Sequence, residues 1–254
     1  MMGTHTFATM GTMVSIRLAH TSDADPRAHG VVNDITTTFE NYNARFSLYR
    51  EDSEISRLAR GELPLASAST EMRDAYARAL EWRTRTHGDF TPHRPDGVLD
   101  LNGTIKAEAI AAAADVVRAH GFVDFSLNCG GDVLVSGSPE SGKWITGIVD
   151  PGVNNTMLSA VAHSDDWCAV ATSSTTERGE HIWSRPETAH EAIFRQVTVV
   201  ASDIVTADVW ATAIIAGGQR ALDLAVATDT LAVLAVTREG GLVGNENFRA
   251  LVAR

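Results

Sequence analysis

The chain has 254 residues, of which 44% are hydrophobic and 21% charged, the proportions of an ordinary globular protein able to bury a substantial core. Its net charge of −11 argues against non-specific binding of nucleic acid or an anionic membrane, and means that an anionic ligand would need a local cation or oriented amides. No segment approaches the run of about 20 apolar residues a membrane helix needs, so no membrane segment is expected.

MGTMVSIRLA, residues 10–19, alternates enough for a strand, and a helix is expected from Pro26 to about Phe39. Asp52 or Ser53 can cap a short helix ending at Gly61, and residues 69–86 carry a strong amphipathic pattern stopped by His87-Gly88. GDFTPHRPDGV reads as a loop, followed by an alanine-rich helix over about 104–119. VDFSLN, DVLVSG, KWITGIV, LSAVAH, CAVAT and RQVTVVA then read as strands separated by turn signals. Helices over about 203–216 and 218–226, a buried strand LAVLAVT and the terminal GGLV and FRALVA complete the chain. Helices between groups of antiparallel-looking strands predict an α+β class, and no linker divides the chain, so residues 1–254 are expected to form a single domain.

Four local features could carry chemistry. Asp208 and Thr212 lie four apart on one face of an apolar helix. Two hard oxygen donors there suit a cation such as Mg²⁺, although on spacing alone a solvent-facing or Arg-paired Asp208 is the simpler account. Of 21 basic residues only Lys106 and Lys143 are lysines, and Lys106 falls near a helix start, where an anion is favoured. A solvated first-turn lysine explains it as well. Gly130-Gly131 permits close approach of backbone to a diphosphate and equally makes a plain hairpin turn. The hydroxyl-rich AVATSSTTERGEHI places His181 after a strand end, where a general base or a surface histidine could stand. Cys129 and Cys168 lack the spacing of a zinc site.

Seven segments occur in one order: MGTMVSI, RFSLYREDSEISRLARG, GDFTPHRPDGVLDLNGTIKAEA, NCGGDVLVSG, WITGIVDP, AVATSSTTERGEHI and VTVVASDIVTADVWATAIIAGG. In this the chain, over roughly residues 8–218, resembles the ApbE family of Mg²⁺-dependent FAD:protein FMN transferases. The resemblance implies an ApbE-like fold of mostly antiparallel sheets flanked by helices. It implies cleavage of FAD, attachment of FMN through a phosphoester to a Thr or Ser of a target flavoprotein, and release of AMP. It matches the family's metal ligands to Asp208, Thr212 and the carbonyl of Gly103, and its active-site histidine to His181. It matches FAD-binding positions to Met10, Tyr49, Asp89, Phe90, Thr91, Asp100 and Lys106, with Gly130, Gly131, Thr172, Ser173 and Ile182 in the flanking blocks.

The chain departs from the family pattern in five places. Lys106 is followed by Ala-Glu-Ala, so that Glu108 adds a negative charge near the expected phosphates. Thr91 stands for an aspartate, Val205 for an acidic residue one turn before Asp208, Ser174 for a glycine, and HIWSRP is one residue longer than the usual block. An FAD diphosphatase giving FMN and AMP, and a non-catalytic FAD-binding carrier, are the alternative functions. The N-terminal residues have no basic-then-apolar signal pattern, so a cytoplasmic location is expected, with export left open if the start is truncated.

Overall fold

A computed structural model of the protein describes residues 2–22, 24–153, 156–175 and 193–253. The chain begins with β1 (Gly3–Thr9), which pairs with β2 (Thr12–Leu18) across a two-residue turn at Met10 and Gly11, φ 48° and 70°. Two successive positive φ values are what a tight hairpin needs to follow the strand twist. Only β2 is expected from the sequence; in β1 the repeating residues are Thr and His, so its apolar signal is faint.

Four helices follow: α1 (Pro26–Phe46), α2 (Glu54–Ala59), α3 (Thr70–Arg85) and α4 (Asn102–Ala119). α1 runs past the expected Phe39 because its buried stripe, Ala28, Val31, Ile35 and Phe39, is extended by Phe46. Ser53 caps α2 and Ser69 caps α3, their hydroxyls accepting from the amides of Ser56 and Met72. The remainder is β3 (Phe125–Cys129), β4 (Asp132–Ser136), β5 (Ile145–Val149), β6 (Met157–Ala162), β7 (Ala169–Ser174), β8 (Phe194–Ala201), α5 (Ile204–Thr228), β9 (Ala232–Thr237), β10 (Leu242–Gly244) and α6 (Glu246–Leu251).

Eight strands form one sheet in the order β1-β2-β3-β4-β7-β8-β9-β10, with every pairing antiparallel, and β5 and β6 form a separate hairpin. The α+β expectation holds. One face of the sheet packs Val197, Val199 and Val233 against Ile35, Ile105, Ile110, Trp210 and Ile214 of α1, α4 and α5. On the other face Val170, Val200 and Leu234 meet Ile148, Val161 and Phe248 of the hairpin and α6. The central strands are therefore buried on both faces, which is why AVLAVT is apolar at every position but its last instead of alternating. Among the described residues, no helix is long and apolar enough to cross a membrane.

The register of β8 and β9 constrains α5. Val200 pairs with Ala232, so the chain must leave and return at the same end of the sheet. A straight helix of the 25 residues of α5 would span about 37 Å, far more than the ~10 Å that residues 229–231 can cover. The helix folds back at Gly218, whose φ of 60° and ψ of −142° are non-helical. The two arms are tied where Trp210 Nε1–H donates to Asp229 Oδ2 at 2.6 Å. The sequence expectation of two helices meeting near residue 217 is met by this break.

His163 fastens the β5–β6 hairpin. The Trp167 carbonyl can only accept, so Nδ1 carries the proton and donates to it at 2.9 Å. Nε2 of the neutral ring then accepts from the Thr146 hydroxyl at 2.7 Å. Burial of the ring pushes its pKa below the usual histidine value of 6.5, opposed by the Trp167 bond. The folded state thus holds fewer protons at this group than the unfolded chain, and unfolding takes one up on acidification.

Two outcomes follow from these constraints. Gly218→Ala should lower stability by about 1–3 kcal/mol, seen as a lower urea midpoint with unchanged slope. The stability that neutral His163 contributes should be complete above about pH 6.5 and decline below it. The fall in urea midpoint from pH 7.5 to 5.5 should accordingly be smaller in His163→Gln than in the parent chain.

Candidate active site

The two tight turns lie at one end of the sheet. Gly130 and Gly131, φ 60° and 95°, join Cys129 to its register partner Asp132, and the Gly130 amide donates to the Met13 carbonyl at 3.1 Å. Met10, half-buried, is therefore beside the glycine turn. The C-terminal half of α1 is held at this end by Thr9 Oγ1–H donating to Glu40 at 3.3 Å, and Tyr49, just beyond α1, is largely exposed.

At the same end α4, β4, β7 and α5 bring charge together. Lys106 ion-pairs with Asp132, and its Nζ is 4.0 Å from Asp208 Oδ2. The three side chains are 12%, 1% and 6% exposed. Buried carboxylates of this kind are tolerated only when a cation or donors compensate them. Asp132 Oδ1 also accepts from the Thr172 amide at 3.2 Å. One turn beyond Asp208, Thr212 Oγ1 lies 3.1 Å from Ser173 Oγ, and Thr172 Oγ1 lies 2.9 Å from Thr198 Oγ1. Asp132 is absent from the sequence-based candidates. The available signal is an acid leading DVLVS, a strand otherwise apolar until its last residue.

The GDFT loop is wedged between two helices by two glycines. Asp89 ion-pairs with Arg220, and a Cβ on Gly217 would lie 2.5 Å from Asp89 Cγ. The Phe90 ring covers Gly103 so closely that a Cβ there would lie 2.6 Å from Cε2. Both side chains of the loop are thus turned into the protein, and Thr91, half-buried, is its more open member. Asp100 Oδ1 accepts from the Asn102 amide at 2.9 Å and so steadies the start of α4, on which Gly103 and Lys106 stand. His181 and Ile182 lie outside the described residues.

The donor set decides which cation these residues could hold. Among the described residues no group of three or more His, Cys, Asp or Glu is arranged for a metal. A buried carboxylate and a hydroxyl one helical turn apart instead fit a hard cation that completes its shell with carbonyl, water and ligand phosphate oxygens, as Mg²⁺ does.

Residues 10–94 and 93–235 match the ApbE family model. The chain belongs to the ApbE family. Its fold is similar to that of the flavin transferase ApbE from Vibrio cholerae, at 22% identity over 99% of each chain and a TM-score of 0.80. The ApbE protein of Thermotoga maritima is 19% identical over 100% of each chain, also at 0.80. Pseudomonas stutzeri flavinyl transferase ApbE is 20% identical over 99% of this chain and 96% of its own, at 0.79. No curated protein matches the chain.

Two departures from the ApbE pattern acquire a structural account. Glu108 does not add charge beside Lys106. Two positions along a helix are about 200° around it, and Glu108 instead accepts from Arg78 Nε at 3.1 Å and Nη2 at 2.6 Å. These bonds hold the Arg78 pKa above its ordinary value. Val205 contributes no acid one turn before Asp208, and the second carboxylate near Lys106 comes from another element altogether, as Asp132 on β4.

The Arg78–Glu108 pair is asymmetric, since the arginine is 49% exposed and the glutamate 9%. Arg78→Ala strands a buried carboxylate and should cost on the order of 3 kcal/mol, whereas Glu108→Gln frees an arginine that reaches water and should cost about 1 kcal/mol. Urea unfolding checks the order, and neither change should alter FAD affinity more than about twofold, as befits a pair on the far side of α4 from Lys106.

Proposed function

We propose that this protein is an FAD:protein FMN transferase that uses Mg²⁺ and attaches FMN to a Thr or Ser of a target flavoprotein, with residues 1–254 acting as a single ApbE-like unit. The observation that carries the reading is the buried cluster of Lys106, Asp132 and Asp208 beside the Ser173–Thr212 hydroxyl pair, in a chain of the ApbE family. The similar folds described as flavin transferases support it.

Asp208, Thr212 and the Gly103 carbonyl are the residues to hold Mg²⁺. When bound, the ion supplies neutralisation of charge on the diphosphate oxygens of FAD. Lys106 adds a second positive charge for the same oxygens from a dry setting, where it acts more strongly than in water. The Met10 turn, the Gly130-Gly131 turn and Tyr49 border the place for the rest of the cofactor. His181, assigned from the family pattern alone, takes the proton of the acceptor hydroxyl. The acceptor oxygen forms a bond to the FMN phosphorus, the bond between the two phosphates breaks, and AMP leaves with the electron pair.

The test is incubation with FAD, Mg²⁺ and a candidate flavoprotein, followed by mass spectrometry of the target and assay of AMP. Covalent FMN on the target with stoichiometric AMP is expected. FMN and AMP released without labelling of any target would make the protein a diphosphatase, and bound FAD without turnover a carrier. Asp208→Ala should abolish Mg²⁺-dependent turnover. His181→Ala should slow transfer by about 10²- to 10⁴-fold while FAD affinity changes far less.

A further inference from the structure

Lysine carries its charge on a flexible four-carbon stem, and an ammonium left to itself settles on whichever carboxylate it can reach. Lys106 has two within reach, Asp132 and, at 4.0 Å, Asp208. These carboxylates are held very differently. Asp132 is the first residue of β4, locked to Cys129 across the glycine turn. One of its oxygens accepts from the Thr172 amide at 3.2 Å, and the other meets the lysine. Its side chain is 1% exposed, so neither oxygen is free to turn to solvent. Asp208 stands on α5 beside Thr212, the pair suited to a hard cation. An ammonium collapsed onto Asp208 would compete with that cation, and one swung into solvent would be lost to the diphosphate.

We propose that Asp132 is a positioning residue for the transfer reaction: its buried carboxylate holds the Lys106 ammonium off Asp208 and, through the Thr172 amide, ties it to the C-terminal half of β7. The proposal rests on the transferase reading for its consequence in catalysis. The placement of the ammonium is a separate matter and can be measured without FAD or Mg²⁺. Asp132 touches no reacting atom in this scheme; it acts through Lys106, as a partner behind a ligand orients the ligand.

The chain has only two lysines, which makes the experiment direct. In protein labelled at lysine Cε and Nζ, Lys143→Arg assigns one NMR signal and leaves the other to Lys106. The Lys106 signal of the full-length parent chain is expected away from the free-lysine position, with slowed exchange of its ammonium protons. In Asp132→Asn, which keeps an oxygen for the Thr172 amide, it should leave its parent position as the ammonium shifts to Asp208 or into solvent. FMN transfer at saturating FAD should then fall about 10- to 100-fold while the FAD dissociation constant changes less than about fivefold, with partial recovery in Asp132→Glu. A free-lysine signal from Lys106 in the parent chain overturns the proposal without any variant, even if Asp132→Asn fails to fold. An Asp132→Asn protein with an unmoved signal or undiminished transfer overturns it as well. If the parent chain itself transfers no FMN, the transferase reading fails, and the lysine spectra still decide whether Asp132 places the ammonium.

Discussion

The antiparallel pairing of β8 with β9 is the constraint on which the rest of this protein depends. Because Val200 lies opposite Ala232, the 25-residue α5 must return to where it began. The return sets the tip of the bent helix at the end of the sheet where the tight turns and the start of α4 also arrive. One arm presents Asp208 and Thr212, and the tip gives Gly217 and Arg220 to the GDFT loop. The loop in turn lays Phe90 over Gly103, at the base of the helix that carries Lys106. Backbone register thus reaches the charged cluster through a short series of close contacts.

The electrostatic problem of the chain is solved locally. A protein of net charge −11 has no general attraction for an anionic cofactor. A further buried acid of α4, Glu108, is paired with Arg78 and directed away from Lys106. That leaves a compact region where a lysine stands between two buried acids, and where the hydroxyls of β7 and α5 face one another.

Much of this is legible in the sequence, and the exceptions have physical causes. Amphipathic periodicity locates α3 and alanine content locates α4, and the glycines mark both the β3–β4 turn and the break in α5. β1 escapes because Thr and His replace the apolar half of its alternation. The last two turns of α1 escape because polar residues separate Phe39 from Phe46. Of the site, Asp208, Thr212 and Lys106 are recognisable from collinear family blocks, and the structure brings them to one place. Asp132 is hidden because no spacing relates it to Lys106: the two are joined across a helix and a strand. Glu108 misleads for the converse reason, being close in sequence to Lys106 and on the other side of the helix. Asp89 and Phe90 are singled out by the family pattern, but their burial against Gly217 and Gly103 is a matter of packing that pattern does not contain.

The contacts that build the candidate site span large distances along the chain. Asp89 and Arg220 are separated by 131 residues, and Asp132 and Thr172 by 40. Contacts of this kind reward the chain only after the intervening loops have closed, whereas the hairpins and the helices close over short stretches of chain. The candidate site is thereby conditional on completion: the turns and the helices are local, whereas the cluster of Lys106, Asp132 and Asp208 exists only once distant parts of the chain have met.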